Sequence, residues 1–139
     1  MGWLRSAKRE RRVGQQILLD STVIIAALSD TDLHFLKARE IFSKTTRAQC
    51  AVSSVSLGEI LIRPAAAGEE SVENFMAKLE KLIDRIIPFE KEHARLAASI
   101  RAKQKTTHID SMIIATAILG NRNLISFDRK MMGIYERIK

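Results

Sequence analysis

Short apolar runs, separated by amphipathic stretches, dominate the sequence from about residue 16 onward. Each run is too short for a helix and is followed by polar residues, which is typical of strands buried on both faces of a parallel sheet. Four such strands are predicted, at 16–20, 49–52, 85–89 and 124–127. Their alternation with helices of about ten residues predicts an α/β fold in which helices cover both faces of the sheet.

Apolar positions three and four residues apart predict the helices between these strands. Pro64 is expected to end one helix after Arg63, and the alanines that follow it are expected to form a turn. Asp110 is expected to be the first residue of a strongly apolar helix that ends at Gly120. The predicted helices cover about residues 23–29, 33–43, 54–63, 69–84, 90–103 and 110–119.

One domain, residues 16–139, is expected to follow a flexible basic arm of residues 1–15. The length of 139 residues suits a single domain, and 46% hydrophobic with 28% charged residues excludes general disorder. No apolar run approaches the ~20 residues of a membrane span, and no signal peptide is recognisable. Because the single cysteine, Cys50, cannot form an internal disulfide, we expect a cytoplasmic protein without membrane contact.

The net charge of +7 bears on the binding partner. Within the first sixteen residues, five basic side chains are opposed only by Glu10. A basic arm on a modestly basic domain favours a polyanion such as RNA or DNA, although an ordinary basic surface accounts for the charge equally well. Aromatic residues make up only 5% of the chain, so base stacking is not expected to dominate recognition.

Two carboxylates follow predicted strands directly. Asp20 ends the first strand and Asp128 comes just after the fourth. Ligands of open α/β sheets bind outside the carboxyl ends of the strands, where these two side chains are expected. The positions predict that both acids lie at a binding edge of the sheet.

Two further carboxylates are predicted on the inner faces of helices. Glu59 shares its face with Val55 and Ile62, and Asp110 begins the stripe that continues with Ile113. A buried carboxylate without a partner is costly, so a positive group is expected near Glu59.

Each acid also has an ordinary explanation. Asp20 and Asp110 are suitable helix caps, Asp128 could simply end a strand, and Glu59 could point into water. All four at one edge favour a site, in which like charges would raise the pKa of each carboxyl group. A hard divalent cation, Mg²⁺ or Mn²⁺, would relieve that repulsion.

The sequence from Ile17 onward resembles the PIN-domain nucleases, and most closely the VapC-type toxins of prokaryotic toxin–antitoxin pairs. The resemblance rests on LLDSTV at 18–23, SLGEI at 56–60, DSMIIATA at 110–117 and LISFD at 124–128. It implies a three-layer α/β/α fold with a short parallel sheet of four or five strands. It also implies a Mg²⁺-dependent endoribonuclease, an antitoxin partner and a homodimer. The chain departs from the pattern in the residues ahead of the first strand, since such toxins begin close to it.

The resemblance assigns catalysis and metal binding to Asp20, Glu59, Asp110 and Asp128, and a supporting role to Ser126. In such a site the cation activates a water for in-line attack on a phosphodiester, and no nucleophilic side chain is needed. Basic residues near the acids are expected to position the RNA through its phosphates. They are Arg63, Lys103, Lys105, Arg122, Arg129 and Lys130.

Two alternatives remain open at this point. One is a PIN-like module that binds an ion or a partner without catalysis. The other is a phosphoacceptor signalling domain, which would need an aspartate directly after the third strand, where the sequence has Pro88 and Phe89. A further group, Asp30, Asp32 and His34, is interpreted as a solvated turn before a helix and not as a metal loop.

Overall fold

A four-stranded parallel sheet is the centre of the fold. The computed structural model describes residues 14–139, so most of the predicted arm lies outside the described residues. The sheet has the order β3-β2-β1-β4, and each strand lies within two residues of its predicted place. The strands are β1 (Ile17–Leu19), β2 (Cys50–Ser53), β3 (Arg85–Ile87) and β4 (Asn123–Ile125).

Eight α-helices connect and cover these strands within residues 14–139. They are α1 (Ser21–Leu28), α2 (Phe35–Ser43), α3 (Ser54–Ile60), α4 (Ile62–Ala67), α5 (Glu69–Glu80), α6 (Lys91–Lys103), α7 (His108–Leu119) and α8 (Arg129–Ile138). In this part of the chain no helix is both long enough and apolar enough to cross a membrane.

Successive residues of the central strands enter different apolar layers. Leu19 and Val52 pack with residues of α1, α2 and α5, whereas Leu18 and Ala51 pack with residues of α6, α7 and α8. All four side chains are fully buried, as expected for strands covered on both faces. The predicted three-layer α/β/α architecture is therefore confirmed.

The register of the sheet brings the ends of three strands to one level. Leu19 of β1 lies opposite Val52 of β2 and Ile125 of β4. The residues that come next, Asp20 and Ser126 among them, therefore lie at the same edge. We call it the carboxyl edge of the sheet.

Pro64 does not end a helix, contrary to the prediction. The predicted helix is interrupted at Leu61, and Pro64 is the third residue of α4, the helix that follows. In the first turn of a helix the backbone N–H has no acceptor within the helix, so proline costs no hydrogen bond there. The alanines predicted as a turn complete α4, and Gly68, which follows the helix, has a φ of 122°.

Two helices also differ from the predictions: one begins earlier than expected, and one was not predicted. Helix α7 begins at His108 and is capped by the Thr107 hydroxyl, which accepts from the Asp110 N–H at 3.1 Å. Asp110 therefore lies within the first turn and is not the cap. Helix α8 was not predicted at all, although it buries Met131, Ile134 and Tyr135 on one side.

Candidate active site

Asp20 is the most buried of the four acids, with 1% of its surface exposed. Its Oδ1 accepts from the Thr22 N–H at 3.1 Å and from the Thr22 hydroxyl at 2.6 Å. Its Oδ2 accepts from the Ser126 hydroxyl at 2.7 Å. Burial raises the pKa of Asp20 above its ordinary value, although these hydrogen bonds oppose the shift. The carboxylate is thus held in one orientation at the end of β1.

Ser126 and Thr22 connect Asp20 to the segment after β4. The Ser126 hydroxyl accepts from the Asp128 N–H at 2.9 Å, and the Thr22 hydroxyl accepts from the Phe127 N–H at 3.0 Å. Asp128 caps α8 through Oδ1, which accepts from two backbone N–H groups of the first turn. Sequence reasoning assigned Thr22 no role in the site. Its position two residues after Asp20 was the only available signal.

The four carboxylates act on one another electrostatically. Burial raises the pKa of Glu59, and the charges of Asp20 and Asp110 raise it further. Burial also raises the pKa of Asp110, with a further increase from Asp128 and Asp20 that the Lys130 charge opposes. Like charges that share a site disfavour ionisation in this way. Helices α3 and α7, which pack together, therefore bring Glu59 and Asp110 to the carboxyl edge.

The prediction of the inner face of α3 is wrong in detail. Ser56 and Ile60 are its buried residues, whereas Ile62, now in α4, is 68% exposed. The break at Leu61 separates Ile62 from the helix that carries Glu59. Glu59 is half-buried, so it is not in the core as the inner-face prediction required.

Within residues 14–139, no basic side chain forms an ion pair with the acid cluster. Among residues 14–139, no three His, Cys, Asp or Glu side chains are arranged so that they could hold a metal ion on their own. None of the ion pairs formed by these residues includes Asp20, Glu59, Asp110 or Asp128. The only cation whose charge lowers the pKa of Asp20, Glu59 or Asp110, among the described residues, is Lys130, which acts on Asp110.

Three helices begin at this edge and direct their amino ends toward it. The caps of α1, α7 and α8 are Asp20, Thr107 and Asp128. The amino end of a helix carries partial positive charge and free N–H groups, which favour carboxylates and phosphates. The edge thus combines acidic side chains with helix amino ends.

Two of the predicted basic residues, Lys130 and Arg63, are near members of the acid cluster. Lys130, in the first turn of α8, is near enough for its charge to affect the pKa of Asp110. Arg63 lines the same groove as Glu59, and Arg129 is the exposed first residue of α8. Lys103 and Lys105 are exposed where the chain passes from α6 toward α7.

Arg122 does not lie beside the acids, contrary to the prediction. Its guanidinium donates to the carbonyls of Ile17 at 3.2 Å and Gln49 at 3.4 Å, at the amino ends of β1 and β2. Burial lowers its pKa below the ordinary value. Arg122 comes just before β4, and the other end of β4 is at the carboxyl edge. Arg122 and the acids are therefore at opposite ends of the strands.

An apolar groove of about 570 Å³ adjoins the acid cluster. Glu59 and Arg63 lie on its wall, and most of the rest is apolar, including Leu28, Ile60 and Phe75. Leu33 and Leu36, around the start of α2, are 91% and 80% exposed. Exposed apolar surface of this kind is typical of an interaction site.

Comparison with known proteins agrees with this geometry. The family model for the PIN domain matches residues 17–136. Among solved structures, the chain is similar to the Mycobacterium tuberculosis toxin VapC20, described as cleaving the sarcin–ricin loop, with a TM-score of 0.70 and 15% identity over 85% of this chain and 94% of that one. A search of curated proteins found no match.

Two further structures show the same fold. FitAcB from Neisseria gonorrhoeae gives a TM-score of 0.72 and 20% identity, covering 87% of this chain and 94% of that one. A toxin–antitoxin complex from Klebsiella pneumoniae gives 0.70 and 20%, covering 84% and 90%. With the family model matching most of the sequence, the phosphoacceptor alternative is set aside, and the chain belongs to the PIN domain family.

Proposed function

We propose that this protein is a Mg²⁺-dependent endoribonuclease and the toxin of a toxin–antitoxin pair. The observation that carries the proposal is the cluster of Asp20, Glu59, Asp110 and Asp128. Burial raises the pKa of the first three, and repulsion adds to the increase at Glu59 and Asp110. Membership of the PIN domain family and the likeness to an RNA-cleaving toxin support it.

The donor set fits a hard divalent cation. It consists of carboxylate oxygens, which Mg²⁺ and Mn²⁺ prefer. Mg²⁺ usually keeps several waters and takes only one or two carboxylates, so the acids need not converge on one point. We assign the ion to Asp20, Glu59 and Asp110, directly or through water, with Asp128 as a further ligand or water-orienting group.

The bound ion would activate water and polarise the phosphoryl oxygen. The chain itself supplies orientation: Thr22 and Ser126 fix the Asp20 carboxylate, and the amino ends of α1, α7 and α8 favour a phosphate. Lys130, Arg129 and Arg63 bind neighbouring phosphates of the RNA. Such contacts give affinity and salt dependence but no choice of sequence.

The apolar groove beside Glu59 is the surface we assign to an antitoxin. An amphipathic segment would bury its apolar residues against Leu28, Ile60 and Phe75 and place a basic residue against Glu59. The Klebsiella pneumoniae structure is described as such a toxin–antitoxin complex. We also propose that the protein is cytoplasmic and that it forms a homodimer when no antitoxin is bound. Light scattering would test the dimer.

Cleavage of labelled RNA by the purified full-length chain tests the nuclease. We expect cleavage of single-stranded or looped RNA with Mg²⁺ or Mn²⁺, and none with excess chelator. Glu59→Gln should lose activity by orders of magnitude, and Glu73→Gln, at an exposed position of α5, should not. Cleavage that survives chelation would contradict the metal requirement. A chain that binds RNA and Mg²⁺ but never cuts would establish the non-catalytic PIN-like module.

A further inference from the structure

We infer that His34 and Phe127 form a stacking platform for one unpaired nucleobase of the RNA, beside the acid cluster. The inference rests on the proposed function, because it specifies what the nuclease recognises. The two ring centroids are 4.7 Å apart with an interplanar angle of 31°. Phe127 also packs against the apolar layer that contains Leu19, but both residues are only half-buried, so neither is closed off from a ligand.

Phe127 is fixed relative to the acids by backbone and side-chain hydrogen bonds. It lies between Ser126 and Asp128, and its N–H donates to the Thr22 hydroxyl at 3.0 Å. The same hydroxyl donates to Asp20 Oδ1 at 2.6 Å. Two consecutive hydrogen bonds therefore connect the platform to the most buried carboxylate. A base on this platform would be close to a phosphate held at the carboxyl edge.

His34 is placed by the turns between α1 and α2. Its N–H donates to Asp32 Oδ1 at 2.8 Å, and the Asp32 N–H donates to the Ser29 carbonyl at 3.0 Å. Among the described residues, the imidazole nitrogens have no hydrogen-bond partner, so they remain free to bind the edge of a base or a phosphate. The group interpreted from the sequence as a solvated turn therefore holds an aromatic ring in a defined position.

The chemistry of the platform selects for an unpaired base. Proteins that bind single strands combine cationic contacts to the backbone with aromatic rings on which bases stack. A base within a duplex is already stacked on both faces and cannot offer one to the protein. Leu33, next to His34, adds exposed apolar surface beside the rings. Two aromatic residues are enough for this role, because their position beside the acids matters more than the aromatic content of the whole chain.

A second histidine–phenylalanine pair provides a matched control. His93 packs against Phe89 with centroids 5.7 Å apart, just after the outermost strand β3. Its Nδ1 accepts from the Glu90 N–H at 3.1 Å, so this ring helps to cap α6. Two strands separate this pair from β4, so His93→Ala removes the same kind of ring away from the acids.

The test measures coupling between His34 and one nucleotide. Binding is followed by fluorescence anisotropy on the full-length chain in the Glu59→Gln background with Mg²⁺, using single-stranded RNA dodecamers that each carry one abasic nucleotide. We expect one abasic position to weaken binding by about fivefold to 100-fold. His34→Ala should weaken binding to intact RNA by a similar factor and abolish the sensitivity at that position. His34→Phe should restore both, and His93→Ala should change neither.

The results separate this inference from the nuclease proposal. If His34→Ala binds intact RNA as tightly as its parent, keeps the abasic profile, or is not rescued by His34→Phe, the platform is wrong. Absence of measurable RNA binding also overturns it. If the abasic coupling is found but the wild-type chain does not cut RNA, the platform stands and the nuclease fails. If the wild-type chain cuts but no coupling exists, only the platform fails.

Discussion

The Ser126 hydroxyl donates to Asp20 Oδ2 at 2.7 Å and joins two residues that are 106 positions apart in the sequence. The same oxygen accepts from the Asp128 N–H at 2.9 Å. One hydroxyl thus fixes the orientation of the carboxylate just after β1 and the course of the chain after β4. Groups that orient ligands in this way influence metal affinity without touching the metal.

Ser126→Ala removes both hydrogen bonds without changing the charge of the site. We expect activity or Mg²⁺ affinity to fall by about tenfold to 100-fold, since outer partners of metal ligands typically contribute that much. Titration of the cleavage rate with Mg²⁺ measures it. Ser126→Thr keeps the hydroxyl and should retain most of the activity. Equal loss in both variants would show that space at this position matters, and not the hydrogen bonds.

Asp20→Asn is expected to abolish cleavage and to leave the fold intact. The amide oxygen can still accept from the Thr22 N–H, because asparagine is as good a helix cap as aspartate. In metal-free buffer the Tm should be unchanged or higher, since repulsion with Glu59 and Asp110 is relieved. Mg²⁺ should raise the Tm of the wild-type chain by mass action, but not that of the variant.

Asp30→Asn is the control for this experiment, because Asp30 is exposed and outside the cluster. It should keep both the activity and the increase of Tm with Mg²⁺. An Asp20→Asn chain that unfolds would indicate that Asp20 serves chiefly as a helix cap. A fully active one would remove Asp20 from the site.

The stability of the metal-free protein should fall as the pH rises toward neutrality. Asp20, Glu59 and Asp110 all have a folded-state pKa above the ordinary values of 3.8 and 4.5. Above those values the folded state binds more protons than the unfolded chain, so the free energy of unfolding decreases with pH until these groups are ionised in both states. Thermal melts in chelator should give a higher Tm at about pH 5 than at about pH 7.

Substitution of the three acids by their amides tests the assignment of this pH effect. The triple variant should show a flatter dependence of Tm on pH over the same range, because its folded and unfolded states then differ less in proton binding. A wild-type Tm that increases from pH 5 to pH 7 in chelator would contradict the raised pKa values.

Arg122→Ala should lower the stability of the fold, whereas Lys130→Ala should lower the affinity for RNA. Loss of the Arg122 guanidinium leaves the Ile17 and Gln49 carbonyls short of a donor, at a cost of about 1–3 kcal/mol in the free energy of unfolding. RNA affinity should not change. Lys130→Ala should leave the Tm near normal, weaken RNA binding and reduce the slope of log K against log salt by about one. Reversed results would place the RNA at the other end of the sheet.

Deletion of residues 1–13 removes five basic side chains and one acidic one. We expect weaker RNA binding and a flatter salt dependence, because fewer counterions are released. The cleavage rate at saturating RNA should stay the same. A collapse of that rate would mean that the arm belongs to the site and that the domain boundary is wrong.

The strands and the positions of the acids could be predicted because they depend on local sequence. A buried apolar run followed by a carboxylate specifies a strand end, as at Asp20. Arg122 was misplaced because only six positions separate it from Asp128, whereas β4 carries the chain across the sheet between them. Sequence distance does not show on which side of a strand a residue lies.

The contacts of Thr22 and His34 could not be predicted for a different reason. The Thr22 hydroxyl accepts a hydrogen bond from the Phe127 N–H, and His34 packs on the Phe127 ring. Both contacts depend on the pairing of β4 with β1. Nothing in the local pattern states which strands are neighbours. The break at Leu61 was missed because the first turn of a helix tolerates proline, so Pro64 did not mark the boundary.

The pairing of β4 with β1 has a consequence for synthesis of the protein. While the ribosome is still making the first 120 residues, β1 lacks its neighbour on one side, and Asp20 has neither Ser126 nor Asp128 beside it. A nascent chain therefore cannot assemble the complete acid cluster until residues 123–128 have emerged. Any chemistry that needs all four acids therefore has to wait until synthesis of the chain is nearly complete.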